Sequence, residues 1–279
     1  MKSTARHIWR CIDFIATRQS MLKLLKFFLC CGAIICLSLK SESWAKPLSF
    51  GTDEWPPYES LSNPQAPGFS TEVISRVFEN INIPIEIHPY PWVRAQSMVY
   101  TGALAGLYTA FKSPERLQFC YFPDEPLAQD QWVLFIKYRD IKRLPYKNLQ
   151  DLLGKKVGVV RGAAISPEFW EFVKNHNNYE EATDDTQDFK KLDAGRLDYI
   201  VASELNGYSQ IKSMNLDNKI IPLLDYPLKK DNLYLMFSKT TVSPVLVNKF
   251  SDGLRSFKKT GEYRSIYKKY FDSLPSSAH

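Results

Sequence analysis

The sequence predicts an α/β protein made of two related lobes, and three observations lead to this fold class. Short apolar strands alternate with amphipathic helices, which is typical of α/β architecture. The stretches 101–110 and 194–203 share one plan: a helix end, a glycine, an apolar strand and a polar strand end. The apolar runs 132–136 and 233–237 are suited to cross between two lobes. Two crossings would form a hinge.

Local sequence features predict where each helix and strand lies. The segment 70–80 carries its apolar residues on one helical face, and Gly102, Gly195 and Gly261 end or separate predicted helices. The earlier predicted elements are strand 48–52, helix 70–80, strand 83–88, helix 92–101 and strand 103–110. The later ones are strand 156–160, helix 167–176, helix 187–194, strand 197–202, a helix after Ser203, and helices 243–260 and 262–271.

The two crossings divide the chain into discontinuous regions. We predict that residues 46–134 and 237–279 form lobe 1 and that residues 135–236 form lobe 2. Strand ends and helix starts of each lobe then meet at one edge, where ligands of open α/β sheets bind. A monomer is the default expectation for a protein that closes about such a hinge.

Residues 1–45 have the features of a cleaved signal peptide. A short basic segment, 21–26, precedes an apolar run, 27–39, and the small-x-small sequence 43–45 provides a cleavage site. Translation could begin at Met1 or at Met21, and lipid attachment at Cys36 is a weaker alternative. Export to the periplasm follows from this interpretation.

Charge and cysteine content narrow the function classes. Residues 1–45 hold seven of the 36 Lys and Arg and two of the 30 acids, so the remaining chain has 29 basic and 28 acidic residues. The formal charge of +6 therefore gives no indication of nucleic-acid binding. Cys120 is the single cysteine after residue 45, which leaves no intramolecular disulfide in the exported part.

Enzyme motifs are missing from the sequence. It contains no G-x-S-x-G, H-E-x-x-H or P-loop pattern, and His88 and His176 are isolated from each other. We therefore predict no catalytic residues, no metal and no cofactor. Asp53, Glu54 and Glu204 are candidate acids only if they face a cleft.

The stretch GLYTAFKSPERL, residues 106–117, contains the leading anion-site candidate. Ser113 and Pro114 are typical of a helix start, and Arg116 follows in the first turn, where a cation opposes the helix dipole. Arg116 either points to solvent, pairs with Glu115 or Asp124, or binds an anion together with the free amides of the helix end.

Three aromatic residues lie in loops next to prolines. Trp55 and Tyr58 occur in DEWPPYE, directly after the first strand, and Trp92 begins a helix in YPWVRA. Such residues either fill the core or form rigid faces against a small ligand.

These segments carry a family resemblance. GTDEWPPYE, GFSTEVISRVF, PWVRAQSMVYTGALAGLYTAFKSPERLQFCYFPDEPL, DLLGKKVGVVRGAA and KKLDAGRLDYIVAS resemble, in order, the bacterial family 3 extracellular solute-binding proteins of the polar amino-acid type. The resemblance implies a two-lobed periplasmic-binding-protein type II fold that delivers a small ligand to an inner-membrane ABC permease. It also implies that Arg116 binds a ligand carboxylate and that Trp55 and Trp92 are aromatic platforms.

Three positions depart from that family pattern. Phe111 and Ala163 replace small hydroxyl residues, and Ser203 replaces the Asp that holds a ligand's ammonium group. An ordinary α-amino acid is then doubtful as the ligand, because a buried ammonium without a counter-charge is costly. Asp198 or Glu204 would compensate only with a shifted geometry.

If two or more of Arg94, Arg116 and Arg161 face the cleft, an acidic or multiply anionic ligand without an amine is favoured. Arg161 ends the second-lobe strand, and Arg94 lies two residues beyond Trp92, either in the cleft or on a solvated helix face. Gly162 and Thr109 belong to the same predicted ligand-binding set.

The sequence leaves three functions open. The first is capture of a small, carboxylate-bearing ligand for an ABC importer. A sensory binding protein for a membrane receptor and a dehydratase-like enzyme on the same scaffold are the alternatives.

Overall fold

We analysed a computed structural model of the chain, which describes residues 46–272 and Leu274. The predicted signal peptide, residues 1–45, and the candidate lipid site Cys36 lie outside the described residues. The strands are β1 (Leu48–Thr52), β2 (Ile85–Pro89), β3 (Gly106–Phe111), β4 (Cys120–Tyr121), β5 (Ala128–Lys137), β6 (Val157–Val160), β7 (Tyr179–Ala182), β8 (Tyr199–Ser203), β9 (Ile220–Leu223) and β10 (Lys229–Ser238).

The helices alternate with these strands as the sequence predicts. They are α1 (Phe69–Asn80), α2 (Trp92–Thr101), α3 (Pro114–Phe119), α4 (Pro167–His176), α5 (Asp185–Asp193), α6 (Glu204–Ser213), α7 (Pro244–Phe257) and α8 (Gly261–Phe271). Short 3-10 turns cover Tyr138–Asp140 and Leu149–Leu152.

The strands form one mixed sheet with two parallel groups. β1 pairs in parallel with β2 and β3, and β6 pairs in parallel with β7 and β8. Between the groups lie β10, antiparallel to β3, and β5, antiparallel to β8. β5 and β10 also pair with each other, and β4 and β9 pair with β10 and β5. The two predicted crossings are therefore the long strands β5 and β10.

Aromatic rings pack on both sides of the crossing strands, and one hydrophobic cluster contains residues from both sides. On the β1 side, the Phe50 ring packs against Phe78 and Phe237, with centroids 5.1 and 6.0 Å apart. On the β6 side, the Phe135 and Phe189 rings are 5.3 Å apart. Two tight turns depend on glycine: Gly102 ends α2 with φ 83°, and Gly68 has φ 103° in close contact with the backbone of Tyr58 and Glu59.

Some predicted strands start earlier than the real ones. The apolar run 103–110 begins three residues before β3, because Leu104 is buried in the turn after α2, where its N–H bonds to the carbonyl of Met98. In the same way β2 and β8 begin two residues after the predicted starts. In residues 46–272 and 274, no helix has the length and apolar character needed to cross a membrane.

Candidate functional site

The ends of β1, β3 and β6 and the start of α5 meet at one cleft, which we call the central cleft. It contains about 610 Å³ of empty space, part of it open to solvent. Its lining residues are Asp53, Glu54, Trp55, Glu59, Trp92, Thr109, Phe111, Arg116, Trp132, Val160, Arg161, Ala163, Ala164, Thr183, Asp184 and Asp185.

Aromatic rings form much of the cleft wall. Trp132, on the crossing strand β5, lies with its ring centroid 6.3 Å from that of Trp55 and 5.4 Å from that of Phe111. Trp92 lines the cleft at the start of α2. Four rings from four segments thus offer flat apolar faces to a small molecule. The sequence interpretation included Trp55, Trp92 and Phe111 but missed Trp132, because nothing local distinguishes it from the rest of its buried strand.

Arg116 is buried at the edge of this cleft, with 4% of its surface exposed. The Ser113 side chain caps α3 as predicted and accepts from the Arg116 N–H. The guanidinium donates through Nη1 to the Phe111 carbonyl (2.7 Å), through Nη2 to the Gly162 carbonyl (3.1 Å) and through Nε to Gln96 (3.2 Å). It also lies 4.9 Å from the centroid of the Trp92 ring. Arg116 therefore does not point to solvent.

Burial lowers the pKa of Arg116 to about 10, so the group remains a cation at neutral pH. Among the residues that the structure describes, no carboxylate forms an ion pair with it. Three of its five N–H groups donate to Gln96, Phe111 and Gly162, and the Tyr100 hydroxyl also lies within hydrogen-bond reach of the guanidinium. The N–H groups that remain can donate to a ligand. The fork of a guanidinium is suited to bind a carboxylate.

Thr109 and Glu59 form the floor of the cleft. Thr109 has φ 55°, which a β-branched residue rarely adopts and which often marks a functional site. The Glu59 carboxyl accepts from the Thr52 hydroxyl (2.7 Å) and from the Asp53 N–H (3.1 Å). Burial raises the pKa of Glu59 to about 8, so this carboxyl is largely protonated at neutral pH.

Carboxylates also line the cleft. Asp53 accepts from the N–H groups of Glu54 (2.8 Å) and Trp92 (3.0 Å), and burial raises its pKa. Asp184 caps α5 by accepting from the Gln187 N–H (2.9 Å). Asp185 follows at the first helical position and is 7% exposed. The sequence interpretation placed the start of this helix at 187 and did not consider Asp184 and Asp185 as cleft residues.

Most of the predicted site residues line the central cleft, and the others lie beside it or on the surface. Arg116, Trp55, Trp92, Arg161, Thr109 and Phe111 line the central cleft. Tyr58 is fully buried beside it, and Gly162 contributes its carbonyl to Arg116. Arg94 is exposed and lies over the Tyr90 ring, so the solvated-face alternative describes it correctly. Arg161 is paired with Glu181 (2.8 Å), and its side chain is 58% exposed.

Ser203 is fully buried and does not line the cleft. Its hydroxyl caps α6 and donates to the buried carboxyl of Asp130 on β5. The Tyr58 hydroxyl donates to the same Asp130 oxygen (2.8 Å). Burial raises the pKa of Asp130 to about 6. A carboxylate therefore contacts Ser203, yet it is satisfied by protein hydroxyls. The two alternatives to Ser203 lie elsewhere: Asp198 pairs with Arg143 (3.3 Å), and Glu204 accepts from Gln131 (2.8 Å).

Comparison with protein families identifies the class of the chain. Residues 48–273 match the bacterial extracellular solute-binding proteins, family 3. The chain belongs to this family. The predicted family resemblance is thus confirmed over nearly all of the described residues.

Solved structures confirm the fold of this family 3 protein. A histidine kinase sensor domain with similarity to periplasmic binding proteins is 21% identical, with a TM-score of 0.72 over 82% of this chain and 98% of that one. The arginine-, lysine-, histidine-binding protein ArtJ from Geobacillus stearothermophilus is 20% identical, with a TM-score of 0.71 over 83% and 97%. The ancestral amino acid-binding protein AncCDT-1, a precursor of cyclohexadienyl dehydratase, is 20% identical, with a TM-score of 0.67 over 81% and 95%.

These likenesses show a two-lobed type II periplasmic-binding-protein fold, in which β5 and β10 are the two crossings. At this level of identity they show the fold alone. No curated protein sequence matches the chain significantly.

Proposed function

We propose that this protein captures a small, carboxylate-bearing solute in the central cleft and delivers it to an inner-membrane ABC importer. The observation that carries the proposal is Arg116, a buried cation at the cleft edge that lacks a carboxylate partner among the described residues. Keeping such a charge out of water is costly unless an anion compensates for it. A ligand carboxylate would accept from the remaining N–H groups of the guanidinium.

The aromatic residues would hold the body of the ligand. Trp55, Trp92, Phe111 and Trp132 present apolar faces around the same space, so a flat or chain-like group gains burial between them. No covalent chemistry is needed for this role, and we assign no catalytic residue. We propose Trp55 and Trp92 as the platforms, together with Trp132, and Tyr58 as the residue that packs against Trp55.

Binding would be coupled to lobe closure about β5 and β10. We take lobe 1 as residues 46–134 and 237–279 and lobe 2 as residues 135–236. The hydrogen bonds that join the two lobes include two next to the cleft: Arg116 donates to the Gly162 carbonyl (3.1 Å), and the Asn206 side chain donates to the Pro56 carbonyl (2.8 Å). A ligand that contacts both sides stabilises the state in which these bonds form.

We also propose the periplasm as the location, after cleavage between Ala45 and Lys46, and a monomer as the working state. A sensory role is the second candidate, because the same fold occurs in a histidine kinase sensor domain. Recovery from the periplasm of a protein whose measured mass equals that of a chain starting at Lys46 would support export and cleavage. A retained leader would contradict cleavage.

A thermal-shift screen tests the binding proposal. The protein recovered from the periplasm is screened against amino acids, dicarboxylates, aromatic acids and small peptides. A ligand at about 100 times its Kd adds about 2.7 kcal/mol, which raises Tm by roughly 5 to 10 °C for a domain of this size. We expect carboxylate-bearing compounds to produce the shift and Arg116→Ala to remove it. Arg94→Ala is the matched control: it also removes one positive charge, but from the exposed face of α2, and should leave the Tm shift unchanged.

One result of the screen would contradict the proposed role of Arg116. An equal Tm shift in the Arg116→Ala and Arg94→Ala proteins would show that Arg116 does not bind the anion. In the absence of ligand, Arg116→Ala should itself destabilise the fold by about 1–3 kcal/mol, because the buried carbonyl of Phe111 loses its donor and the Gly162 carbonyl loses a hydrogen bond. The comparison is therefore made on shifts, not on absolute Tm values.

A further inference from the structure

Asp185 is a buried carboxylate that its helix does not use. The N-terminal cap of α5 is Asp184, which accepts from the Gln187 N–H. Asp185 has only 7% of its surface exposed, and its Oδ1 has no hydrogen-bond partner among the described residues. It lines the central cleft. A buried polar atom without a partner is rare in a native protein and calls for a missing group.

No cation of the described residues neutralises Asp185. Lys191, on the same helix, pairs with other acids: it is 3.9 Å from Asp188 and 3.4 Å from Glu180. Arg161 lines the cleft but is paired with Glu181. Asp53 and Asp184 add two further carboxylates to the same lining. Three carboxyl groups therefore lie together in the cleft lining, and none of them forms an ion pair with a described residue.

We propose that Asp185, with Asp53 and Asp184 beside it, is a cation subsite that binds an amine or guanidinium group of the ligand. The inference rests on the proposed function and deepens it, since the ligand then carries a cation at this end and a carboxylate at Arg116. The subsite lies at the start of α5. It does not lie at Ser203, where the family resemblance implies the counter-charge for an ammonium and where the nearby Asp130 carboxyl already has two hydroxyl donors.

Two properties of the cleft agree with this assignment. The Trp55 side chain lies within hydrogen-bond reach of the Asp185 carboxyl, so its ring also borders the subsite and can contact a cation through its π face. Burial, together with the charges of Asp188, Asp184 and Asp53, raises the pKa of Asp185 to about 7. A bound cation would reverse this effect and hold the carboxylate ionised.

Asp185→Asn tests the subsite, with Asp193→Asn as the matched control. Asp193 is on the same helix but outside the cleft lining. Binding is measured by titration with five probes: 5-aminopentanoate, pentylamine, pentanoate, L-lysine and L-arginine. We expect probes with a cationic group to bind the wild type better than pentanoate. Asp185→Asn should weaken their binding about 10- to 100-fold, as for loss of a hydrogen bond to a charged group, and Asp193→Asn should not.

The empty protein supplies a second readout that a structural role would not give. Asp185→Asn removes a buried carboxylate that has no cation partner among the described residues, so we expect the Tm without ligand to stay the same or rise while affinity falls. If the carboxylate were needed for folding, Asp185→Asn would lower both the Tm without ligand and the affinity.

Three results would overturn the cation subsite. They are equal binding of pentanoate and the amines, no binding of any amine or guanidine in the panel, and unchanged affinity in Asp185→Asn. If amine-free acids still bind and Arg116→Ala abolishes their binding, the cation subsite fails while the proposed function stands. If Arg116→Ala has no effect either, the proposed function fails as well.

Discussion

Single residues at this cleft are explained by what they contact across the fold. Arg116 is tolerated in the first turn of α3 because the Phe111 and Gly162 carbonyls accept its donors, which offsets the unfavourable helix dipole. Its pairing with Glu115 or Asp124, one alternative from the sequence, does not occur among the described ion pairs. The helix start itself was predictable, since Ser113 and Pro114 act locally.

Other residues could not be found from local sequence. Asp130 and Ser203 are 73 positions apart, and nothing near either residue predicts their hydrogen bond. Asp185 looks like an ordinary acid at a helix start, a position favoured by the dipole alone. Its role depends on burial and on the lack of a partner, and both are set by tertiary packing.

At the residue scale, we predict that Glu59 makes stability depend on pH. Burial raises its folded-state pKa to about 8, above the ordinary value of 4.5, so the folded protein binds more protons than the unfolded chain between these values. The free energy of unfolding should therefore fall as pH rises from about 5 to 8. Urea unfolding at several pH values measures this slope, and Glu59→Gln should make it shallower. An unchanged slope in the variant would contradict the assignment to Glu59.

Elements were predicted better than contacts between them. The bounds of β1, α2 and α4 agree with the sequence prediction. For the two helices the signals are local: Gly102 ends α2, and the Ser166 side chain caps the start of α4. The crossing strands were predicted from their apolar runs, but β5 and β10 are longer than those runs. Their extra residues include Asp130 and Lys229, which are polar and are positioned by the sheet pairing with opposite strands.

At the element scale, we predict that the Ser203 hydroxyl joins α6 to the crossing strand β5. Ser203→Ala removes both the cap of α6 and a donor to the buried Asp130 carboxyl, and should cost about 1–3 kcal/mol of unfolding free energy. Ser243→Ala is the matched control, because Ser243 caps α7 at an exposed site and its loss should cost about 1 kcal/mol. Equal costs in urea unfolding would show that the Asp130 bond adds nothing.

At the scale of the whole molecule, sequence alone was sufficient for the fold and the family. Alternating strands and helices predicted the α/β class, and the ordered motifs predicted family 3 membership, which the match over residues 48–273 confirms. The ligand class needed the assembled cleft. The arginines favoured an amine-free acid, whereas Asp53, Asp184 and Asp185 bring an acidic wall to the same space and favour a ligand with both charges.

The most direct test of solute capture is calorimetric titration of the compound that gives the largest Tm shift. It is titrated into the wild type and into Arg116→Ala and Asp185→Asn. The account predicts one site per chain in the wild type and binding weakened at least about tenfold in each variant, since each loses a charge-assisted hydrogen bond. Affinities within twofold of the wild type in both variants would place the ligand outside the central cleft and contradict the account.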